Sequence, residues 1–169
     1  MNILIGAGLS GHLTAYFLQK EGIPFKILEA RNRIGGRINT IYRTNEAPIE
    51  MGATWFTKDH SYLIKLLEEL NIDGFEQFKE SRVFYQPNST FPAQIVQIPN
   101  NSSSYRMSGG TSNLINSLVQ KLQPKNLVLN QVVSEIAFNE KSVLVKTHQN
   151  YEADKVVLAL PPKLWANRI

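Results

Sequence analysis

Ile3-Leu4-Ile5-Gly6-Ala7-Gly8-Leu9-Ser10-Gly11 stands almost at the start of the chain, and its reading decides the fold. Ile3 to Ile5 is a short apolar run of buried-strand type. The segment Ser10 to Glu21 follows as a helix, with Leu9, Leu13 and Phe17 at helical spacing. Gly22 closes that helix, and Phe25 to Leu28 is a second strand. A crossover this short holds one helix, so the two strands are expected to be parallel and joined right-handedly. The glycines have separate tasks. Gly6 permits the tight turn out of the strand, Gly8 lets backbone amides approach a pyrophosphate, and Gly11 lets the helix pack closely on the sheet. The helix start adds unpaired N–H groups and a positive dipole end, where two phosphates are stabilised.

Glu29 lies 18 residues beyond Gly11, at the end of the second strand. A carboxylate there can accept both hydroxyls of an adenosine ribose, and it disfavours a 2′-phosphate. Next comes Arg33-Ile34-Gly35-Gly36-Arg37. Adjacent glycines again imply backbone against a ligand, and Arg37 can pair bidentately with phosphate oxygens. Gly52-Ala53-Thr54-Trp55 sets two small residues before a large flat one, which lets a ring lie on the backbone. Trp55 and Phe56 could wall a substrate cavity or as easily belong to the core, and core is favoured for Phe56. These last two blocks favour a flavin dinucleotide over a plain NAD module.

The bulk composition bounds the function. At 169 residues, 43% hydrophobic and 19% charged, the chain is ordinary globular material. Folding could bury about two-thirds of its unfolded surface. No apolar run approaches the ~20 residues of a membrane helix, and no export signal is apparent, so a cytoplasmic protein is expected. The absence of cysteine excludes disulfides, thiolate metal sites and thiol catalysis. His60 and His148 have no partners at ligand spacing, so no metal is expected, and His12 is expected to cap or face solvent. The net charge of +4 comes from scattered Lys and Arg without interleaved aromatics, which argues against nucleic acid.

Further along, Asp59 or Ser61 can cap a helix bearing Leu63, Leu66, Leu67 and Leu70. Val83 to Tyr85 and Gln94 to Ile98 read as strands about a turn at Pro87-Asn88-Ser89, and Asn100 to Ser104 is a polar loop. Thr111 caps an amphipathic helix with Leu114, Ile115, Leu118, Val119 and Leu122 on one stripe. Leu127–Leu129, Val132–Phe138, Val143–Lys146 and Tyr151–Asp154 are expected to form a small antiparallel meander. Val156 to Leu160 reads as a strand buried on both faces, stopped by Pro161-Pro162.

Taken together these residues resemble the flavin-containing amine oxidases, to which phytoene desaturases and protoporphyrinogen oxidases are related. The resemblance is carried by G-A-G-L-S-G at Gly6 to Gly11, the block Leu28 to Arg37, and E-M-G-A-T-W at Glu50 to Trp55. Gly109-Gly110, Leu129-Asn130 with Val133 and Ile136, and Ala159-Leu160-Pro161-Pro162 extend it almost end to end. It implies an α/β fold: a Rossmann-like FAD-binding domain with a parallel sheet, an antiparallel β-meander, and part of a smaller substrate domain. Residues 1–56 and 106–169 would form the FAD-binding domain, incomplete, and 57–105 a partial substrate-domain insertion.

The same resemblance assigns residues to an FAD cofactor. Gly6, Gly8, Ser10 and Gly11 would hold the pyrophosphate, Glu29 the ribose, and Ala30 and Arg31 the adenosine side. Gly35, Gly36 and Arg37 would meet the phosphates and ribityl chain. Gly52, Ala53, Thr54 and Trp55 would lie beside the isoalloxazine ring, and Val133 would turn its backbone to adenine. The implied activity is oxidation of a small-molecule amine by hydride transfer to flavin, with oxygen as reoxidant, and no catalytic acid, base or nucleophile falls on this chain. Family members usually run to about twice this length, so the resemblance is to an N-terminal half. The alternative is a non-catalytic FAD-binding fragment or remnant, or a subunit completed by self-association or by a complementing C-terminal half.

Overall fold

A computed structural model describes residues 1–78, 81–99 and 103–165. Along the chain run β1 (Asn2–Ile5), α1 (Leu9–Lys20), β2 (Phe25–Leu28), β3 (Thr40–Ile41), β4 (Ile49–Glu50), α2 (Ser61–Glu69) and β5 (Gly74–Glu76). Then follow β6 (Arg82–Tyr85), β7 (Gln94–Gln97), β8 (Tyr105–Met107), α3 (Ser112–Lys121) and β9 (Leu127–Val128). Last come β10 (Glu135–Phe138), β11 (Val143–Lys146), β12 (Asn150–Ala153) and β13 (Lys155–Leu158). Two compact units result, one from residues 1–53 with 109–169, the other from 54–108.

The first unit is built on a parallel sheet in the order β13-β1-β2-β9. Alternate residues of its central strands serve different layers. Leu4 and Ile27 join Ala7, Ala15, Phe25 and Leu122 in one cluster with α1. Ile3, Ile5 and Leu28 pack with Val145, Tyr151 and Ala153 of the antiparallel meander β10-β11-β12 on the other face. The sheet is thus covered on both sides, as the continuous apolar runs of β1 and β2 require.

Several expectations change in three dimensions. Leu127–Leu129 does not join the meander; β9 pairs in parallel with β2, so Glu29 is bracketed by its neighbour's backbone. Val156 to Leu160 is not buried on both faces. β13 lies at the sheet edge, where Val156, Leu158 and Leu160 pack inward while Val157 stays 38% exposed. The buried side of α1 is Gly11, His12, Ala15 and Tyr16 rather than Leu9, Leu13 and Phe17. Gly11 and Ala15 allow the close approach to the sheet, His12 and Tyr16 are buried beside them, and Phe17 is turned outward.

The C-termini of α1 and α2 follow one local rule, whereas the start of α3 is served by a distant strand. α1 ends with Gly22 at φ +67°, its amide donating to the Gln19 carbonyl and the Ile23 amide to the Leu18 carbonyl. α2 ends in the same way through Asn71 at φ +54°. Both patterns satisfy the last carbonyls by a left-handed residue. Neither Asp59 nor Ser61 caps α2 with its side chain; His60 is the flanking residue, and its ring accepts the Thr57 amide at 2.9 Å. Thr111 flanks α3 without a side-chain capping bond, a task taken over by a distant strand.

The second unit holds α2, the antiparallel pair β5–β8 and the β6–β7 hairpin inserted between those two strands in the chain. Leu66, Leu67, Leu70 and Phe56 are buried. Phe56 exchanges backbone hydrogen bonds with Tyr105 and lies over Gly74, where an added Cβ would sit 2.8 Å from its ring. Of the polar loop expected over Asn100 to Ser104, residues 100–102 lie outside the described residues. No helix among the described residues is long and apolar enough to cross a membrane.

Candidate cofactor site

The site grows from the turn after β1. Gly6 has φ +107°, and an added Cβ would stand 2.7 Å from the Ala159 carbonyl oxygen. Ala159 is held there because its amide donates to Ile5 at 2.9 Å. Gly11 packs closer still, on the Gly6 carbonyl, so no side chain fits there. Gly8 is different. Its backbone is extended (φ −81°, ψ −175°), and the nearest atom to an added Cβ is Gly36 Cα at 4.0 Å. Gly6 and Gly11 are glycines for the protein's own packing, while the space over Gly8 is open.

The second glycine loop is drawn onto the first. The Gly35 amide donates to the Ala7 carbonyl at 2.8 Å, and Gly8 and Gly35 form an isolated parallel bridge. Gly36, at φ +59°, faces Gly8. Arg33 is not solvated at large but staples this loop, its guanidinium donating to the Ile34 carbonyl at 3.1 Å and the Gly36 carbonyl at 3.0 Å. Arg37 is exposed and has no side-chain hydrogen bond or ion pair among the described residues.

The first helical bond of α1 runs from the His12 amide to the Gly8 carbonyl, so the amides before it stand outside the ladder. No acidic residue occupies that first turn. The positive end of the helix has the open space over Gly8 beside it, and the acidic group near it is Glu29, bonded to the Ala7 amide.

Glu29 connects the glycine turn to the third edge of the site. Its side chain is buried, one carboxylate oxygen accepting the Ala7 amide at 2.7 Å and the other the Arg31 amide at 3.0 Å. A carboxylate has about four acceptor positions, so about two remain for ribose hydroxyls. The Glu29 main chain is bonded on both sides to the chain after β2's partner: its amide to Val128 and its carbonyl to the Gln131 amide. The Arg31 carbonyl accepts the Asn130 amide at 3.0 Å, while the side chains of Ala30 and Arg31 are exposed. Val133 buries its side chain beside Ile3 and Leu28, and its main chain makes no hydrogen bond to another described residue.

Of the residues singled out from sequence, Gly6, Gly8, Ser10, Gly11, Gly35 and Gly36 form one cluster. Glu29, Ala30, Arg31 and Val133 form a second, and the Ala7–Glu29 bond links the two. Gly52 and Ala53 lie against the Arg37 carbonyl, with no room for a Cβ at Gly52. Thr54 and Trp55 fall in the other compact unit, where Trp55 is 71% exposed.

Three features escaped the sequence reading. His12 is fully buried, its Nδ1 donating to the Gly8 carbonyl at 3.0 Å and its Nε2 without a partner among the described residues. Burial pushes its pKa below 6.5 despite the opposing backbone bonds to Gly8 and Ala7. Gln131 is buried too. Its side chain takes hydrogen bonds from Thr147 at 2.9 Å and Tyr151 at 3.2 Å, tying the β11–β12 turn to the Glu29 backbone. Glu50 reaches α3. Of these three, Glu50 had a signal in the adjacent glycines Gly109-Gly110, which mark a close approach by something.

Comparison with known proteins agrees with this geometry. The family model for flavin containing amine oxidoreductases matches residues 7–101 and 85–167. A probable flavin-containing monoamine oxidase A of Dictyostelium discoideum is 29% identical over 107 residues, 63% of this chain and 23% of the relative. A putrescine oxidase of Kocuria rosea is 33% identical over 90 residues, 52% of this chain and 18% of the relative. The chain thus spans less than a quarter of either relative in these matches. Among solved structures, putrescine oxidase bound to putrescine superposes with a TM-score of 0.85 at 20% identity, covering 99% of this chain and 59% of that one. Cyclohexylamine oxidase from Brevibacterium oxydans gives 0.82 at 18% identity with the same coverage. These two likenesses concern the fold.

Proposed function

The chain belongs to the flavin containing amine oxidoreductase family, and from that premise we propose that it contributes the dinucleotide-binding part of an FAD-dependent amine oxidase. The cofactor is FAD. Gly6, Gly8, Ser10 and Gly11 take the pyrophosphate at the start of α1, with Gly35, Gly36 and Arg37 closing on the phosphates and the ribityl chain. Glu29 takes the adenosine ribose, Ala30 and Arg31 flank the adenosine, and the Val133 main chain faces adenine. Gly52 and Ala53 lie beside the flavin. Residues 1–56 and 106–169 constitute the FAD-binding domain, and 57–105 part of a substrate domain; the division into compact units supports this reading.

The observation that carries the proposal is the buried Glu29 carboxylate, held by the Ala7 and Arg31 amides at the mouth of the glycine turn with acceptor capacity to spare. The chemistry supplied with FAD is acceptance of a hydride from the carbon bearing the amine, with oxygen as the final oxidant. This chain's own groups bind and orient; none is assigned as acid, base or nucleophile.

The experiment is a visible spectrum of the purified chain with FAD, followed by anaerobic addition of amines. A retained flavin band bleached by an amine supports the oxidase reading. A retained band that no amine bleaches supports the binding portion alone. A chain that washes free of FAD defeats both.

A further inference from the structure

We propose that Glu50 is a positioning residue for the FAD site, a role that rests on the cofactor reading above. Its carboxylate spans two elements far apart in sequence. One oxygen accepts the Thr111 amide at 2.6 Å, at the start of α3, and the other accepts the Thr40 hydroxyl at 2.9 Å. The Thr40 hydroxyl oxygen in turn accepts the Ser112 amide at 2.9 Å, and the Ser112 hydroxyl oxygen accepts the Thr40 amide at 2.9 Å. Three of these bonds clamp the β3–β4 pair onto the N-terminus of α3, and the fourth, Thr40 to Glu50, ties the two strands to each other. Gly110, at φ +97°, is glycine because an added Cβ would stand 3.1 Å from the Glu50 carboxylate and closer still to Thr40. Gly110 is thus the socket into which the strand pair fits, while Gly109 faces the Asn113 side chain.

The clamp matters to the cofactor because of what the two strands carry. Arg37 to Asn39 lead into β3, and Met51 to Ala53 lead out of β4. The Met51 amide donates to the Asn39 carbonyl at 2.8 Å and the Ala53 amide to the Arg37 carbonyl at 3.4 Å. Gly52 is pressed on that same carbonyl. The separation of the Arg37 loop from the Gly52–Ala53 surface is therefore set by strand register, and Glu50 locks the register to α3. The same carboxylate compensates the positive end of α3.

The test compares the full chain with Glu50→Ala, Glu50→Gln and, as a control of comparable destabilisation away from the clamp, Leu118→Val. Two readouts are taken well below each melting temperature: amide hydrogen exchange at Met51 and Ala53 in the apo chain, and FAD dissociation with the visible circular dichroism of the bound flavin. Glu50→Ala is expected to speed exchange at both amides and weaken FAD about tenfold, as loss of a charged hydrogen bond implies. It should also change the flavin dichroism. Glu50→Gln, which keeps one acceptor, should recover most of each effect, and Leu118→Val should lower the melting temperature without moving either readout. A Glu50→Ala protein that melts earlier but keeps wild-type exchange, affinity and dichroism overturns the proposal and leaves Glu50 a helix cap. If Glu50→Ala does not fold, Glu50→Gln decides, with an expected two- to threefold change and refutation by none. If the wild type binds no FAD, the cofactor reading fails, and faster exchange at Met51 and Ala53 in the variants still separates a clamp from a mere cap.

Discussion

Gly8→Ala should separate folding from cofactor binding more cleanly than any other single change. Gly8 has φ −81° and ψ −175°, a conformation open to any L-residue. An added methyl meets no atom nearer than Gly36 Cα at 4.0 Å, an ordinary van der Waals distance. The apo protein should thus be unharmed, and the stiffer unfolded chain should add about 0.4–1 kcal/mol of stability. The same methyl occupies the space through which a pyrophosphate would approach the start of α1. Losing one or two charge-assisted amide–phosphate bonds costs about 3 kcal/mol, roughly a hundredfold in Kd. Urea unfolding of the apo chain and FAD titration by flavin fluorescence measure the two effects separately. FAD affinity within threefold of wild type would show that no phosphate lies over Gly8. A loss of more than about 1 kcal/mol in apo stability would show that the site is packed rather than open.

Three other outcomes follow from the same geometry. Glu29→Ala strands the Ala7 and Arg31 amides, so the apo chain should lose about 2–4 kcal/mol by urea denaturation besides any loss of FAD affinity; stability within 0.5 kcal/mol of wild type would contradict the role given to its two bonds. Arg37→Ala should leave apo stability unchanged, since the exposed guanidinium has no partner among the described residues, yet weaken FAD about tenfold in low salt. His12 is held neutral by burial, so the unfolded chain binds the extra proton. Its contribution is whole above pH 6.5 and is lost as the pH falls toward the depressed folded value, at up to about 1.4 kcal/mol per pH unit. His12→Leu should flatten that part of the stability–pH curve, and an unaltered slope would assign the acid loss to other groups.

The parts legible in the sequence were those encoded within one short segment. The β1–α1–β2 unit and the close packing at Gly6 and Gly11 follow from residue spacing and backbone sterics over fewer than 30 residues. α3 showed its apolar stripe for the same reason, Leu114, Ile115 and Leu118 being buried as their spacing implies. α1 misled because its apolar residues and its packing residues are different sets. The larger side chains suggested a face, but close approach to the sheet selected Gly11 and Ala15. β9 misled because two apolar residues carry no information about which strand they will pair with.

By itself, then, the sequence determined a dinucleotide fingerprint, because left-handed turns, helix starts and strand alternation are short-range consequences of residue type. Only the tertiary structure decided who answers each residue. It set Ala159 against Gly6, gave the Ala7 amide to Glu29, buried His12, placed β13 at an open edge, and brought Glu50 to the start of α3. Those partners lie 22 to 153 residues apart in the chain, and no local preference reaches so far. They are chosen by packing, where a backbone can approach only if a side chain is missing and a buried amide must find an acceptor.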